Sequence, residues 1–352
     1  MLKVEDLALR VTHLIHRYFI WVIVGSYVIA AFFPALGLKI RDTHFGSLQL
    51  QQLHIDISLP SILLASLLLN AGLGVNKAEL AQLAKRPGLL LAGLIANIGT
   101  PLAFIFTLSF VMSFWHDPEE VQQILMGLAL VASMPIAGAS TAWVQNANGN
   151  LALSLGLVLL TTAVSPFVTP FILHAVGFVT TGDYSEDLHE LADNGVVSFL
   201  GVWVILPSVM GIMSRLLMGE LRFGRLKPYL KLANYGVLIT LNYSNASLAL
   251  PKALLEPDLD FIAITILIVI GLCVLAFWCG YRLAIFLKCD RNAMVSLMFG
   301  LGMSNNGTGL VLASMSLSDH PQVMLPIIFY NLVQHLVAGF ADKRVLQRDR
   351  PN

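Results

Sequence analysis

The sequence predicts an all-α polytopic membrane protein of ten transmembrane helices, and three observations carry that prediction. First, 57% of its 352 residues are hydrophobic and only 12% are charged, with a mean hydropathy of +0.76, which leaves too little polar surface for a water-soluble fold. Second, apolar runs recur at 18–36, 57–74, 88–113, 122–146, 151–178, 195–218, 229–250, 261–286, 293–316 and 321–340, each near the roughly 20 residues that cross a bilayer as a helix. Third, with the amino terminus inside, alternate loops hold every Lys and Arg except Lys39, Arg41 and Lys252. Cytoplasmic loops collect basic residues in this way. Both termini then lie on the cytoplasmic side of an inner or plasma membrane.

Taken in order, residues 1–17 set Leu7, Val11 and Leu14 on one helical face, with Lys3, Arg10 and Arg17 among the rest. That is the pattern of a short interfacial helix. Five spans over 18–178 and five over 195–340 are joined by an acidic extracytoplasmic linker, 179–194, and a cytoplasmic tail follows at 341–352. An odd number of spans per half turns the second half upside down relative to the first. Such inverted repeats are a signature of transporters.

Two spans are interrupted at matching places in the two halves. The fourth, LMGLALVASMPIAGASTAWVQNANGN, breaks at Pro135 and Gly138 and continues with Ser140 and Thr141. The ninth, MFGLGMSNNGTGLVLASM, breaks around Ser304, Asn305, Asn306 and Gly307. Paired interruptions of this kind point to a binding site inside the bilayer, because irregular backbone there must be buried in protein or line a cavity. The N–H groups near Gly138 to Thr141 and Ser304 to Gly307 start half-helices, each equivalent to about half a positive charge, and suit an anionic solute. A second reading stays open, in which the glycines only let helices approach closely. Asn97 in the third span and His335 in the tenth are further candidates for contact with substrate. His335 is open to two readings, a proton-coupling imidazole or a joint between helices.

Other function classes lack their signals. Net charge is zero and the basic residues are spread over loops, which argues against nucleic acid as a partner. The paired carboxylates, His-Glu metal spacing and Ser-His arrangement of an intramembrane enzyme are missing. Cys273, Cys279 and Cys289 have no metal-ligand spacing. The partners expected are the lipid bilayer and a small organic anion, with Na+ as the one candidate ion and the oligomeric state left open.

Four segments then occur in a telling order: KRPGLLLAGLIANIGTPLAF, PIAGASTAWVQNANGNLALSLGLVLLTTAVSPFVTP, GLGMSNNGTGL and the run from His335 to Gly339. They resemble, in turn, four features of the bile acid:sodium symporter family. These are its basic-Pro start of the third helix, its PGGTASN segment with the following G-N/D-x-A-L-S and S-P-x-x-T-P runs, its E-x-G-M-Q-N-S-G-L signature and its H-N-x-x-G close. The resemblance covers nearly the whole chain. It implies a panel of spans 1, 2, 6 and 7 and a core of spans 3, 4, 5, 8, 9 and 10, with broken helices 4 and 9 crossing at the midplane. It also implies sodium-driven uptake of an organic anion by alternating access.

Carried over residue by residue, the family's ion ligands fall on Ser140, Thr141, Ser154, Gly300, Leu301, Met303 and Ser304. Several of these depart from the pattern. Gly300 stands where the family has Glu, Ser304 where it has Gln, Thr141 where it has Asn, Val158 where it has Thr, and Ala96, beside Asn97, where it has Gln. The departures mark a divergent, bacterial-type member. Carbonyls and hydroxyls can hold a hard cation without a carboxylate, so a sodium-coupled carrier, a sodium-independent facilitator or exchanger, and a ligand-binding sensor that does not transport all remain open.

Overall fold

The computed structural model describes residues 18–50, 53–75, 87–255 and 257–343. The expected interfacial helix at 1–17 lies outside the described residues, as do 344–352 of the expected tail and the loop basic residues Lys77, Lys85 and Arg86. The chain divides into two compact units, one of residues 1–77 and 198–256, the other of residues 78–197 and 257–352.

In the first unit, α1 (Phe19–Phe32) and α2 (Ala35–Arg41) meet at 98° across Phe33 and Pro34. Proline supplies no N–H and disfavours helical backbone in the residue before it, so the expected first span bends there. A hairpin of β1 (His44–Leu50) and β2 (Leu53–Ser58) follows, a local exception within a mostly helical chain. Its cause is in the sequence, where Leu48, Leu50, Leu53, Ile55 and Ile57 alternate with polar residues at the period of a strand. The register sets Leu48 opposite Ile55 and Leu50 opposite Leu53, with an irregularity at Gly46, whose φ of 127° a side chain would oppose. Ser58 then caps α3 (Leu59–Leu73), its side chain accepting from the Ser61 N–H.

The second unit holds α4 (Pro87–Met112), α5 (Pro118–Ser133), α6 (Ala139–Asn146) and α7 (Leu151–Gly177). Residues 179–194, expected as a linker, are helical from Asp183 onward. There α8 (Asp183–Glu190) runs through a π turn at Leu191–Gly195 into α9 (Val196–Leu200), and a second π turn leads into α10 (Leu206–Met218) of the first unit. Next comes α11 (Glu220–Leu255) in the first unit. The second unit then resumes with α12 (Leu259–Phe286), α13 (Arg291–Gly302), α14 (Asn306–Ser316) and α15 (Met324–Ala341). Asp117, Asn150, Asp258, Asp290 and Asn305 each cap the helix that follows, with a side-chain oxygen accepting a first-turn N–H.

Among the described residues, five helices are long and apolar enough to cross a membrane, and the bent α1–α2 pair would make a sixth. The other four expected spans fail the test for physical reasons, the seventh because α11, although 36 residues long, interrupts its apolar run with Asn242, Ser244 and Asn245. The fourth and ninth are divided into pieces of 16, 8, 12 and 11 residues, and α3 is only 15 residues long. Together the apolar helices define an integral membrane protein.

Within the first unit, α3 and α10 touch backbone to backbone. A Cβ added at Gly72 would fall on the Ser208 carbonyl oxygen, and one added at Gly211 on that of Leu69. Small residues permit this approach, the usual way membrane helices gain packing energy. α11 is tied in by Tyr243 Oη, which donates to the Phe33 carbonyl at 2.6 Å, and by Leu230, whose carbonyl accepts from Asn70 Nδ2 at 2.9 Å. Replacing Gly211 with Leu must separate α3 from α10. Thermal unfolding of the purified protein in detergent is expected to show a loss of about 1–3 kcal/mol.

Candidate functional site

Two interrupted helices meet in the second unit. α5 ends at Ser133 and α6 starts at Ala139, while α13 ends at Gly302 and α14 starts at Asn306. Between them the two breaks run antiparallel, with Ile136 bridged to Ser304. The Ala137 N–H donates to the Met303 carbonyl at 2.9 Å, and the Asn305 N–H donates to the Pro135 carbonyl at 2.8 Å. Proline at 135 and the glycines at 138, 300, 302 and 307 explain why helix stops at these places.

The remaining freed backbone groups find side chains. The Thr161 hydroxyl accepts from the Ile136 N–H at 3.1 Å and donates to the Leu157 carbonyl at 2.8 Å. Thr169 donates to the Ser133 carbonyl at 2.8 Å. Across the second break, Gln334 Oε1 accepts from the Ser304 N–H at 3.1 Å, and Tyr330 Oη donates to the Gly302 carbonyl at 3.4 Å. Gln334 is itself held by Asn331, whose Oδ1 accepts from Gln334 Nε2 at 3.3 Å. Thus α7 serves the first break and α15 the second, each being the next long helix along the chain.

The predicted site residues are distributed unevenly around this junction. Gly138 is exposed at the start of α6, Thr141 is half-buried with its hydroxyl donating back to the Gly138 carbonyl at 2.7 Å, and Ser140 is fully buried. Asn305 caps α14 and, like Ser304 and Gly307, is half-buried, whereas Asn306 is fully buried. Met303 is buried and its carbonyl is taken by Ala137. Gly300 and Leu301 lie in the last turn of α13, where carbonyls have no partner along the helix. Asn97 lines a small cavity with Pro135, Thr161 and Ser165, with room for about one water molecule. His335 is buried on α15, and its Nδ1 accepts from Trp143 Nε1 of α6 at a long 3.5 Å. Trp143 in turn stacks on Phe299 of α13, so His335 joins packed helices.

Several fully buried oxygens and nitrogens have no hydrogen-bond partner among the described residues: Ser140 Oγ, Ser154 Oγ, Thr308 Oγ1 and both side-chain polar atoms of Asn306. A buried polar atom left unsatisfied costs about 1–3 kcal/mol. Among the described residues the buried charged side chains are Glu120, in the first turn of α5 at the end away from the break, and Arg215 on α10, so neither lies at the breaks. What field exists comes from helix ends. α6 and α14 offer their positive ends at the breaks, and α5 and α13 their negative ones.

The positions that lack the family's polar ligands behave differently. Ala96 and Val158 pack against a buried cluster formed by Ile136, Leu153, Leu157, Ala284, Ala293, Leu297 and Leu301. A Cβ at Gly300 would meet Leu157 Cδ1 at 3.2 Å and Ile136 Cδ1 at 3.8 Å. Hydrocarbon therefore surrounds the place where a carboxylate would otherwise project. Thr161, Thr169, Tyr330 and Gln334 were not among the candidates read from sequence. The available signal was a polar side chain isolated in an apolar helix, which marks Thr161, Thr169 and Gln334 but gives no partner.

An apolar helical chain whose two broken helices are bonded at their breaks belongs with the polytopic membrane proteins that carry solutes. The family model described as Sodium Bile acid symporter family matches residues 61–250, more than half of the chain, and the chain belongs to that transporter family. An uncharacterized sodium-dependent transporter of Bacillus subtilis (strain 168), YocS, is 23% identical over 350 residues, covering 97% of this chain and 96% of its own. An uncharacterized protein of the same organism, YbaS, is 26% identical over 219 residues, covering 61% of this chain and 66% of its own.

Two outcomes are expected from stability measurements in detergent. Thr161→Val removes the acceptor of the Ile136 N–H and should lower unfolding stability by about 1–3 kcal/mol, whereas Thr161→Ser should stay near the parent. Gly300→Glu, which forces a carboxyl among Leu157 and Ile136, should cost about 2 kcal/mol or more.

Proposed function

We propose that this protein is a secondary transporter of a small organic anion, working by alternating access and coupled to Na+ through a site without a carboxylate. The observation that carries the reading is the bonded pair of breaks with unpartnered, fully buried Ser140 and Ser154 hydroxyls on the neighbouring helices α6 and α7. Sodium is a hard cation that takes oxygen ligands. Hydroxyls together with the terminal carbonyls of α13 at Gly300 and Leu301 form a suitable neutral set, aided by the negative ends of α5 and α13. The anion is met by the positive starts of α6 and α14, where Gly138, Thr141, Asn305 and Gly307 are partly or fully open. The name of the relative YocS, a sodium-dependent transporter, supports the choice of ion.

In this reading the ten spans form two inverted repeats of five, with both termini cytoplasmic and the crossing near the middle of the bilayer. Support comes from the way each break leans on the next long helix of its own half, α7 for the first and α15 for the second. A second reading, sodium-independent facilitation or exchange, is favoured by the hydrocarbon around Ala96, Val158 and Gly300. Ligand binding without transport is the third.

Uptake of a labelled bile acid into liposomes separates them. With an inward Na+ gradient, the parent should accumulate the anion faster than in K+ alone. Ser140→Ala should lower apparent Na+ affinity about tenfold, the equivalent of about 1.4 kcal/mol for one lost ligand, and Asn305→Ala should slow uptake at any Na+ concentration. Equal uptake in Na+ and K+ would select the facilitator, and binding without accumulation the sensor. If both variants match the parent, the junction is not the site.

A further inference from the structure

A second cluster of polar chemistry lies in the same unit, at the opposite end of α5 from its break. The loop after α4 brings Trp115, His116 and Asp117 to the start of α5, and Asp258 and Asp260 stand at the start of α12. His116 Nε2 lies 3.1 Å from Asp260 Oδ2. One donor atom each from His116, Glu120 and Asp260 can be chosen so that all lie within 4.8 Å of one another. The Glu120 and Asp258 carboxyls also face each other within hydrogen-bonding reach, as do those of Asp258 and Asp260.

Helix capping accounts for part of this acidity only. Asp117 Oδ1 accepts from the Glu119 N–H at 2.8 Å and Asp258 Oδ1 from the Phe261 N–H at 3.1 Å. Glu120 and Asp260 cap nothing. Glu120 is moreover 6% exposed, and its Oε2 is fixed by the Trp115 indole N–H at 2.6 Å. Among the described residues, His116 is the one basic side chain within 4.0 Å of any of these carboxylates. Carboxylates facing one another in a partly buried place repel unless something positive lies between them. A neutral imidazole nitrogen joined to two carboxylates is a mixed donor set of the kind zinc accepts, with ligands about 2.0–2.2 Å from the ion and a fourth position open to water or a further carboxylate. An indole N–H holding one ligand oxygen in place is the outer support such sites carry.

We propose that His116, Glu120 and Asp260 form a divalent-metal site of the zinc type, with Asp258 placed to complete it, tying the loop after α4 to the start of α12. His116 and Asp260 are exposed, so an ion reaches the site from water and neither side chain is needed for packing. The buried Glu120 supplies the ligand that a chance surface pair lacks. A calcium or magnesium site would call for oxygen donors throughout, and the imidazole argues against it.

The test uses the full-length protein in detergent, freed of metal, and titrated with Zn2+ alone by calorimetry and with Co2+ followed by its visible absorption. The parent should bind one equivalent, and Co2+ should show the bands of a low-coordinate nitrogen and oxygen site. His116→Ala and Asp260→Asn should each weaken Zn2+ binding by at least about tenfold, the lower end of what losing even a supporting group costs a metal site. His320→Ala, which removes a histidine paired elsewhere with Asp187, should bind Zn2+ as the parent does. No saturable Zn2+ binding by the parent, or binding by His116→Ala equal to the parent's, would overturn the proposal. Binding of Ca2+ in preference to Zn2+ would overturn it as well.

Discussion

Two main-chain hydrogen bonds, from Ala137 to Met303 and from Asn305 to Pro135, are what allow two helices of this unit to be broken at all. In hydrocarbon every backbone group without a partner costs several kcal/mol, so irregular chain at depth persists only where its groups are satisfied inside the protein. Each break frees donors and acceptors that the helix no longer uses, and each supplies the other's strongest partners. The rest are matched by Thr161, Thr169, Tyr330 and Gln334. Rigidity follows from these shared bonds. The helix starts at Ala139 and Asn306 are held in fixed relation, so their N–H groups form a preorganised surface and no ordering is needed when a ligand arrives.

The same junction sets the electrostatics. With the buried Glu120 at the opposite end of α5 from its break, the local field is set by four helix ends, two of each sign, that meet at the junction. A neutral site of this kind can serve a cation and an anion together, because carbonyl ends and amide ends face the same small region. It also avoids the penalty of holding an unpaired carboxylate inside a membrane. The packing around Gly300 belongs to this logic. Leu157 and Ile136 stand where a side chain at 300 would go, and the helix α13 approaches α7 more closely than a Glu would permit.

Much of this arrangement was legible in the residues. Pro135, Gly138 and the glycines around Ser304 interrupt apolar runs that are otherwise long enough to span, and the helices stop at those places. The family resemblance, too, is carried by motifs in the residues alone. What escaped was of two kinds. The strands at 44–50 and 53–58 are written in the alternation of Leu48, Leu50, Leu53, Ile55 and Ile57 with polar residues, and an assumption of helix throughout hid them. The helical course of 183–194 escaped because a run of acids reads as a loop, although Asp183 and Glu186 sit favourably in the first turn of α8. The second kind could not be read at all. That Thr161 faces Ile136, or Gln334 faces Ser304, depends on how helices cross, and a lone polar residue in an apolar helix announces a partner without naming it.

The unpartnered groups decide how the junction should be understood. Ser140, Ser154, Asn306 and Thr308 keep buried polar atoms without partners among the described residues, at a cost of about 1–3 kcal/mol each if nothing else satisfies them. Alanine in place of either serine would remove that cost and fit the same space. Elsewhere in the same unit apolar side chains do fill the comparable positions, for Ala96 and Val158 sit in hydrocarbon without any unmet group. The chain is therefore apolar where polarity has no use and polar where the broken helices start. Such a cost, repeated on α6, α7 and α14 beside breaks that are bonded to each other, is the expected mark of a surface whose remaining partner arrives from solution.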